Sequence, residues 1–333
     1  MKIFITGAGG FIGTHLLQRL ANSDHEVECL VRLGRETRAM ESAGSRVVHG
    51  DVTDRNSLMA PMARCDWVVN LANIYSFWEP APSVYSTVNI EGTRNVMEAA
   101  LAAGVSKIAH VSSAVTYGKP AQIPFDEQSS SGPVLFSEYA RTKLAGDCIA
   151  QALHEDAQLP LVTVYPGAVI GPGDTRASGR YIRDVLTRRL PLRVLEDATL
   201  SFVHVRDVAE VIVRALEKEG NLGERYLACA EVRTMGWLNR TIAEVSGVRL
   251  PRLRLPRVLE VPTAALLTLI ANAIKKPPIW GMAIDAVRTT AAGFIANGDK
   301  VKNELGIKYR PVRQAIEEII EGMPCLQNRG HDQ

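Results

Sequence analysis

The chain has no Cys-x-x-Cys pair. Its five cysteines, Cys29, Cys65, Cys148, Cys229 and Cys325, are scattered over 333 residues. That spacing offers neither a disulfide frame nor a zinc site, so no metal is expected, and it fits the reduced thiols of a cytoplasmic protein. Neither sign of charge is in excess: 38 basic residues stand against 36 acidic ones, for a net charge of +2. Nucleic acid and anionic membrane are therefore not expected as global partners. No secretory signal is visible, because MKIFITG runs straight into a strand-like stretch and a glycine-rich turn. Long hydrophobic runs are also missing. The nearest to one, VLEVPTAALLTLIANAI from Val258 to Ile274, is short for a span and contains Glu260 and Pro262. A packed helix beside a pocket is expected there. No internal repeat or low-complexity tract occurs.

What is present is alternation. Strand-like runs are Lys2–Thr6, Glu26–Val31, Arg46–His49, Trp67–Leu71, Lys107–Ser112 and Leu161–Tyr165. Helical patterns lie between them at Gly10–Asn22, Arg55–Ala63, Ser83–Ala103 and Glu138–Glu155. Such alternation predicts an α/β fold with a doubly wound parallel sheet, and apolar strands such as WVVNL suit a sheet covered on both faces. After Tyr165 the pattern loosens. PGAVIGPGDT reads as a loop, SFVHV as a strand, RDVAEVIVRAL as a helix and ERYLAC as a strand. A helix from about Met235 to Val245 and a mostly helical, proline-interrupted stretch follow. The expected division is a Rossmann domain of residues 1–165 plus about 203–229, a smaller, mostly helical substrate region of 166–202 plus about 230–324, and a polar tail at 325–333.

TGAGGFIG, Thr6 to Gly13, leaves the first strand and opens a helix. Gly7 permits the sharp turn, Gly10 lets backbone N–H groups approach a pyrophosphate, and Gly13 lets helix and sheet pack closely. Phe11 and Ile12 sit in the helix start that supplies positive potential. A dinucleotide is the expected ligand. The second strand ends in CLVRLGRETR, with Arg32 and Arg35 and no carboxylate on the strand end itself. Arginine there suits the 2′-phosphate of NADP. Glu36 complicates that choice, and Arg32 also reads as a plain surface residue. GDVTD places Asp51 and Val52 where an adenine edge is read, although a turn role for Asp51 is equally open. Leu71, Ala72 and Asn73 end the fourth strand, under the same ligand.

HVSSAVTYG, His110 to Gly118, carries Ser112 and Ser113 to the carboxyl end of the fifth strand, where open α/β sheets bind ligands. EYARTK then places Tyr139 four residues before Lys143 at the start of the next helix. A Tyr and a Lys at that spacing share one helix face. With a serine beside them they form a complete set for carbonyl reduction. A phenol ordinarily titrates near 10, and Lys143 together with an oxidised nicotinamide ring is expected to draw Tyr139 towards neutral pH.

These stretches together resemble the extended short-chain dehydrogenases/reductases of the NAD(P)-dependent epimerase/dehydratase family. TGAGGFIG matches that family's T-G-x-x-G-x-x-G, GDVTD its acidic strand end, NIEGT its Asn–Gly–Thr helix, SSAVTYG its serine strand and YARTK its Y-x-x-x-K. YSFWEP and SFVHVRDVAE are similar to the branch of dihydroflavonol-reductase-like, 3β-hydroxysteroid-dehydrogenase-like and hopanoid-associated epimerase-like proteins. The resemblance implies Tyr139 as general acid/base, Lys143 on the nicotinamide ribose, Ser113 on the substrate oxygen and Asn89 in support. It also implies cofactor contacts from Ser112 and, past the sixth strand, from Tyr165, Pro166, Gly167 and Val169. A homodimer through the Ser83–Ala103 and Glu138–Glu155 helices follows from it too.

Relatives acting on nucleotide sugars carry an Asn after the sixth strand and an Arg before the H-V-x-D segment. This chain has Gly167 in the first place and Leu200–Ser201 in the second. Where dehydratases carry an Asp–Glu pair, Ala114 and Val115 stand. Arg176, Arg180 or Arg183 are the cations left to meet a diphosphate. Tyr75, Phe77, Trp78, Tyr85 and Trp280 suggest an aromatic wall, although aromatics serve cores equally well. The expected activity is NADP-dependent interconversion of a carbonyl and a secondary alcohol on a hydrophobic small molecule: a ketone, a β-hydroxy acid, or a flavonoid-like or steroid-like compound. An NAD-dependent epimerase of a nucleotide sugar needs the same Ser, Tyr and Lys. A non-catalytic NADP sensor usually loses the Tyr–Lys pair.

Overall fold

The computed structural model describes residues 1–323, so the tail at 325–333 and Cys325 lie outside the described residues. Among the described residues ten strands occur: β1 Lys2–Thr6, β2 Glu26–Val31, β3 Arg46–His49, β4 Trp67–Asn70, β5 Lys107–Val111, β6 Leu161–Pro166, β7 Ala168–Ile170, β8 Thr199–His204, β9 Arg225–Ala228 and β10 Glu231–Thr234. Seven form one sheet in the order β3-β2-β1-β4-β5-β6-β9, and every pair is parallel. The expected α/β class and doubly wound sheet are borne out.

Alternate residues of a strand point to opposite faces. Ile3 and Ile5 pack with Leu16, Leu20, Val208 and Ile212 on one face, while Phe4 joins Leu58, Met62, Val96 and Met97 on the other. Both faces are covered, so both strand registers must be apolar. Helices Phe11–Leu20 and Val205–Glu217 cover the first face; Asn56–Met62, Thr93–Ala103 and part of Glu138–Ala157 cover the second. The order reverses direction between β1 and β4, and the crevice past their carboxyl ends is where such sheets bind ligands.

A second sheet, β10-β8-β7, was not foreseen in full: β7 read as loop, and β10 went unseen. Its residues Ile170, Leu200 and Phe202 share a separate core with Leu238, Ile242, Val312 and Ile316. The Ser83–Ala103 run is helical throughout, but Ser86–Gly92 is a π-helical stretch rather than α. Arg257–Ile274 is a helix, yet only Glu260, Ala264 and Ala271 of its eighteen residues are buried. The expected packed helix is packed along one side only: Glu260, Ala264, Ala271 and half-buried Val261 and Leu267 face inward, while Val258, Leu259, Leu266, Leu269, Ile270 and Ile274 are exposed.

Candidate active site

Register assembles the site. Thr6 of β1 pairs with Asn70 of β4, Asn70 with His110 of β5, and His110 with Thr163 of β6. A polar row therefore crosses the apolar sheet near its carboxyl end. Thr6 Oγ1 donates to Asn70 Oδ1 at 2.7 Å, which orients the amide so that its Nδ2 faces His110 Nδ1 at 3.2 Å. His110 Nδ1 must accept there, so the proton resides on Nε2, which donates to Asp147 at 3.0 Å. Ser112 Oγ donates to the other Asp147 oxygen at 2.5 Å. Burial, reinforced by the nearby Lys143 charge, holds the His110 pKa below its usual value despite Asp147, so the ring stays neutral.

Asp147 lies four residues beyond Lys143, on the same face of helix Glu138–Ala157. Ser137 caps that helix by accepting from Ala140 N at 3.2 Å. Asp285, from the C-terminal part of the chain, also accepts from Glu138 N at 2.8 Å. The first turn is thereby clamped from outside, and Tyr139 and Lys143 are both buried. Lys143 Nζ donates to Val111 O at 2.9 Å. Burial lowers its pKa and Asp147 opposes that.

The Ser113 hydroxyl lies beside the Tyr139 phenol and favours its ionised form. Tyr75 and Phe77 meet the Tyr139 ring edge-on, at centroid distances of 5.4 and 5.9 Å. Burial, then the Tyr75 phenol, push the Tyr139 pKa up, and Ser113 only partly opposes them. Lys143 by itself does not draw this phenol towards neutral pH: in the protein without the dinucleotide, desolvation is the largest influence and acts in the opposite direction. Asn89, at the π-helical stretch, binds the aromatic segment to the catalytic helix. Its Oδ1 accepts from Ile74 N at 2.7 Å, and its Nδ2 donates to Thr142 Oγ1 at 3.1 Å. A widened turn of this kind re-aims a side chain inward.

The glycine turn has the form a dinucleotide needs. Gly7 adopts φ +72°, and a Cβ there would sit 2.7 Å from the Leu71 backbone; one on Gly13 would sit 2.4 Å from Ala8 O. Gly10 starts the helix with no side-chain cap, and no acid stands in the first turn. The first N–H groups therefore remain donors for an anion, and the residues fit a pyrophosphate. Phe11 and Ile12 are half-buried beside it. Arg32 and Arg35 are exposed just past β2, and no ion pair holds either among the described residues. Leu71 N and Ala72 N bond Thr6 O and Oγ1, and Asn73 Nδ2 turns back to Leu71 O.

Other expected residues have their polar groups engaged elsewhere. Asp51 Oδ1 closes a turn onto Thr53 N and Oγ1, both at 2.9 Å, while the Val52 side chain is buried. The Ser112 hydroxyl is committed to Asp147. Tyr165 packs edge-on to Tyr117, Pro166 ends β6 and Val169 lies in β7. Arg180 is exposed near Asp184 at 3.9 Å. Tyr85 donates to Ser76 O at 3.1 Å, and the Trp78 indole donates to Asn272 Oδ1 at 2.8 Å. Trp280 sits in a partly exposed turn and makes no ring contact with the Tyr75–Phe77–Tyr139 cluster among the described residues. Reading the sequence missed Asp147, His110, Asn70 and Thr142; only Asp147 carried a signal, its spacing from Lys143.

The sequence model of the family described as "NAD dependent epimerase/dehydratase family" matches residues 3–229, which span this sheet, the glycine turn and the Ser–Tyr–Lys cluster. The chain belongs to that family. Members of this extended short-chain type are NAD(P)-dependent oxidoreductases and epimerases, so the protein is an enzyme of that kind. A relative, sterol demethylase protein B of Methylococcus capsulatus, is 28% identical over 96% of this chain and 97% of its own length. A putative dihydroflavonol 4-reductase of Synechocystis is 25% identical over 98% and 95%. The crystal structure of gox2253 is similar with a TM-score of 0.82, at 29% identity, over 98% of both chains.

Proposed function

We propose that this family member is an NADP(H)-dependent reductase of a hydrophobic ketone, working reversibly on the corresponding secondary alcohol. One observation carries this reading: the Tyr139 phenol meets the Ser113 hydroxyl on one side and the rings of Tyr75 and Phe77 on another. A proton donor, a hydroxyl for the same oxygen and apolar walls suit a carbonyl set in a hydrocarbon frame.

The positions that hold a diphosphate in nucleotide-sugar enzymes are closed in this chain. A Cβ on Gly167 would lie 2.3 Å from Ser201 O, so no side chain fits. Ser201 is buried and accepts from Ala296 N at 2.9 Å, and Leu200 lies in the core. These positions therefore present no cation or amide to an anion. That favours an apolar substrate over the nucleotide-sugar epimerase alternative, which the family's name keeps in view.

When bound, the nicotinamide supplies the hydride and, oxidised, a positive charge beside the phenol. Gly7, Gly10, Gly13 and the helix start would hold its pyrophosphate, and Arg32 and Arg35 would select the 2′-phosphate. Tyr139 gives the substrate oxygen its proton in reduction and removes it in oxidation. Ser113 donates to that same oxygen. Lys143, donating to Val111 O, would hold the ribose, and Asn89 ties the aromatic segment to the catalytic helix. We place the enzyme in the cytoplasm, as a homodimer through the Ser83–Ala103 and Glu138–Ala157 helices.

The test is a panel of apolar ketones assayed with NADPH and, in parallel, NADH, on the native enzyme and Tyr139→Phe. Net NADPH consumption with ketones is expected, falling by about 10²–10⁴-fold in the variant with cofactor affinity kept. Near-normal turnover in the variant removes Tyr139 from the chemistry. A tightly retained NAD with no net consumption favours the epimerase.

A further inference from the structure

Helix Arg257–Ile274 is built inside out. Its outward arc carries Val258, Leu259, Leu266, Leu269, Ile270 and Ile274, all exposed; Val258, Leu266 and Leu269 are 80%, 60% and 66% accessible. These positions recur at helical spacing on one side. The arc contains no charged residue. The one acid of the helix, Glu260, faces inward, where its Oε1 accepts from Leu195 N at 2.7 Å. An apolar patch of this continuity is uncommon on a soluble protein and marks a contact surface.

The ends of the helix identify the partner. Arg252 and Arg257 lie at its start and Lys275 and Lys276 at its end; all four are exposed and none is held by an ion pair among the described residues. Exposed Ile279 and Trp280 follow the lysines. An apolar stripe with cations at both ends and a tryptophan alongside complements an anionic lipid surface. A second copy of this chain fits poorly, since pairing these helices would bring like-charged ends together. The helix is also of a length and composition able to cross a bilayer, but its inner side is fastened to the protein. Besides Glu260, Thr268 Oγ1 accepts from Ile284 N at 2.9 Å and Asn272 accepts from Trp78. It therefore lies along a surface.

We infer that this face docks the enzyme peripherally on membranes containing anionic phospholipid. Net charge gave no sign of this, because it averages over the whole surface. The docking face adjoins the candidate active site: Asn272 holds Trp78, whose neighbours Tyr75 and Phe77 pack on Tyr139. An apolar ketone dissolved in the bilayer thus has a short route to the phenol, a use that rests on the reductase reading above.

The experiment is sedimentation of the full chain with vesicles of phosphatidylcholine plus phosphatidylglycerol, and of phosphatidylcholine alone. Binding to the anionic vesicles, weakened by salt, is expected. Lys275→Gln/Lys276→Gln should lower the partition coefficient about thirty-fold. Leu266→Glu/Leu269→Glu should lower it about a hundred-fold or more. Both variants should melt like the native chain and keep its oligomeric state, since the altered side chains are exposed. A native chain that stays in solution overturns the proposal, and equal partition onto both vesicles overturns the anionic assignment. If the leucine variant instead splits an oligomer, the face joins copies of this chain and the proposal fails. The assay reads no turnover, so missing ketone reduction with intact vesicle binding overturns the substrate reading alone.

Discussion

Asp147→Asn removes a buried charge from beneath the candidate site while nearly preserving shape. Asp147 receives a hydrogen bond from Ser112 at 2.5 Å and one from His110 at 3.0 Å. In Asn the amide oxygen accepts from His110 and the amide N–H donates to the Ser112 hydroxyl, so two bonds to a charged group become neutral ones, which contribute about half as much, losing about 1 kcal/mol each, or about 2 in all. Asp147→Ala strands both donors, at about 1–3 kcal/mol each and so about 2–6 in all. Unfolding entropy of about 2.1 cal mol⁻¹ K⁻¹ per residue, over 333 residues, gives roughly 0.7 kcal mol⁻¹ K⁻¹. The Asn variant should therefore melt about 3 °C lower and the Ala variant about 3–9 °C lower. Relief from burying a charge offsets part of this, so these are upper values.

Thermal melts at fixed scan rate and neutral pH read the stability. The pH profile of ketone reduction adds a second test. Asp147 is the charge that opposes the lowering of the Lys143 pKa. In Asp147→Asn the ammonium should lose its proton at lower pH, and the alkaline limb of the profile should move down with it. A merely structural Asp147 would shift melting and leave the limb in place. An Asn variant as stable as the native chain, with an unmoved profile, refutes the reasoning.

Gly7→Ala forces a side chain into φ +72° and to within 2.7 Å of the Leu71 backbone, so a loss of about 1–3 kcal/mol or more is expected. NADPH titration should show no saturable binding, and native-like affinity in a well-folded Gly7→Ala would be inconsistent with the turn described. Arg32→Ala should weaken NADP binding about ten- to a hundred-fold, the worth of one charged hydrogen bond, and leave NAD unchanged. A constant NADP-to-NAD ratio removes Arg32 from cofactor choice. His15, His110 and His204 all have pKa values lowered by burial. The unfolded chain then binds more protons than the native one as pH falls through about 6.5, so stability must drop there. Melting temperature should decline from pH 7 to pH 5, and a flat profile contradicts neutral buried imidazoles.

Much of the fold was legible because its signals are local. β1, β2 and β3 lie where β-branched runs placed them, and Lys2–Thr6 had to feed the glycine turn that follows. Tyr139 and Lys143 share a face through helical spacing alone. Ser86–Gly92 was not legible as a π-helical stretch, because seven residues are too few for its wider period to be told from an α-helical one. β7 and β10 were missed because three- and four-residue strands in a Gly- and Pro-rich stretch carry little pattern.

By itself the sequence determined the parallel sheet, the phosphate turn and the Ser–Tyr–Lys set, since each follows from near neighbours along the chain. The tertiary structure alone decided three things. It aligned Thr6, Asn70 and His110 with Asp147, because register between strands whose paired residues lie 64 and 40 positions apart is set by the sheet. It raised the Tyr139 pKa instead of lowering it, because burial depends on what surrounds the phenol. It turned Leu259, Leu266 and Leu269 of Arg257–Ile274 outward, because an apolar stripe reads the same whether protein or something else covers it.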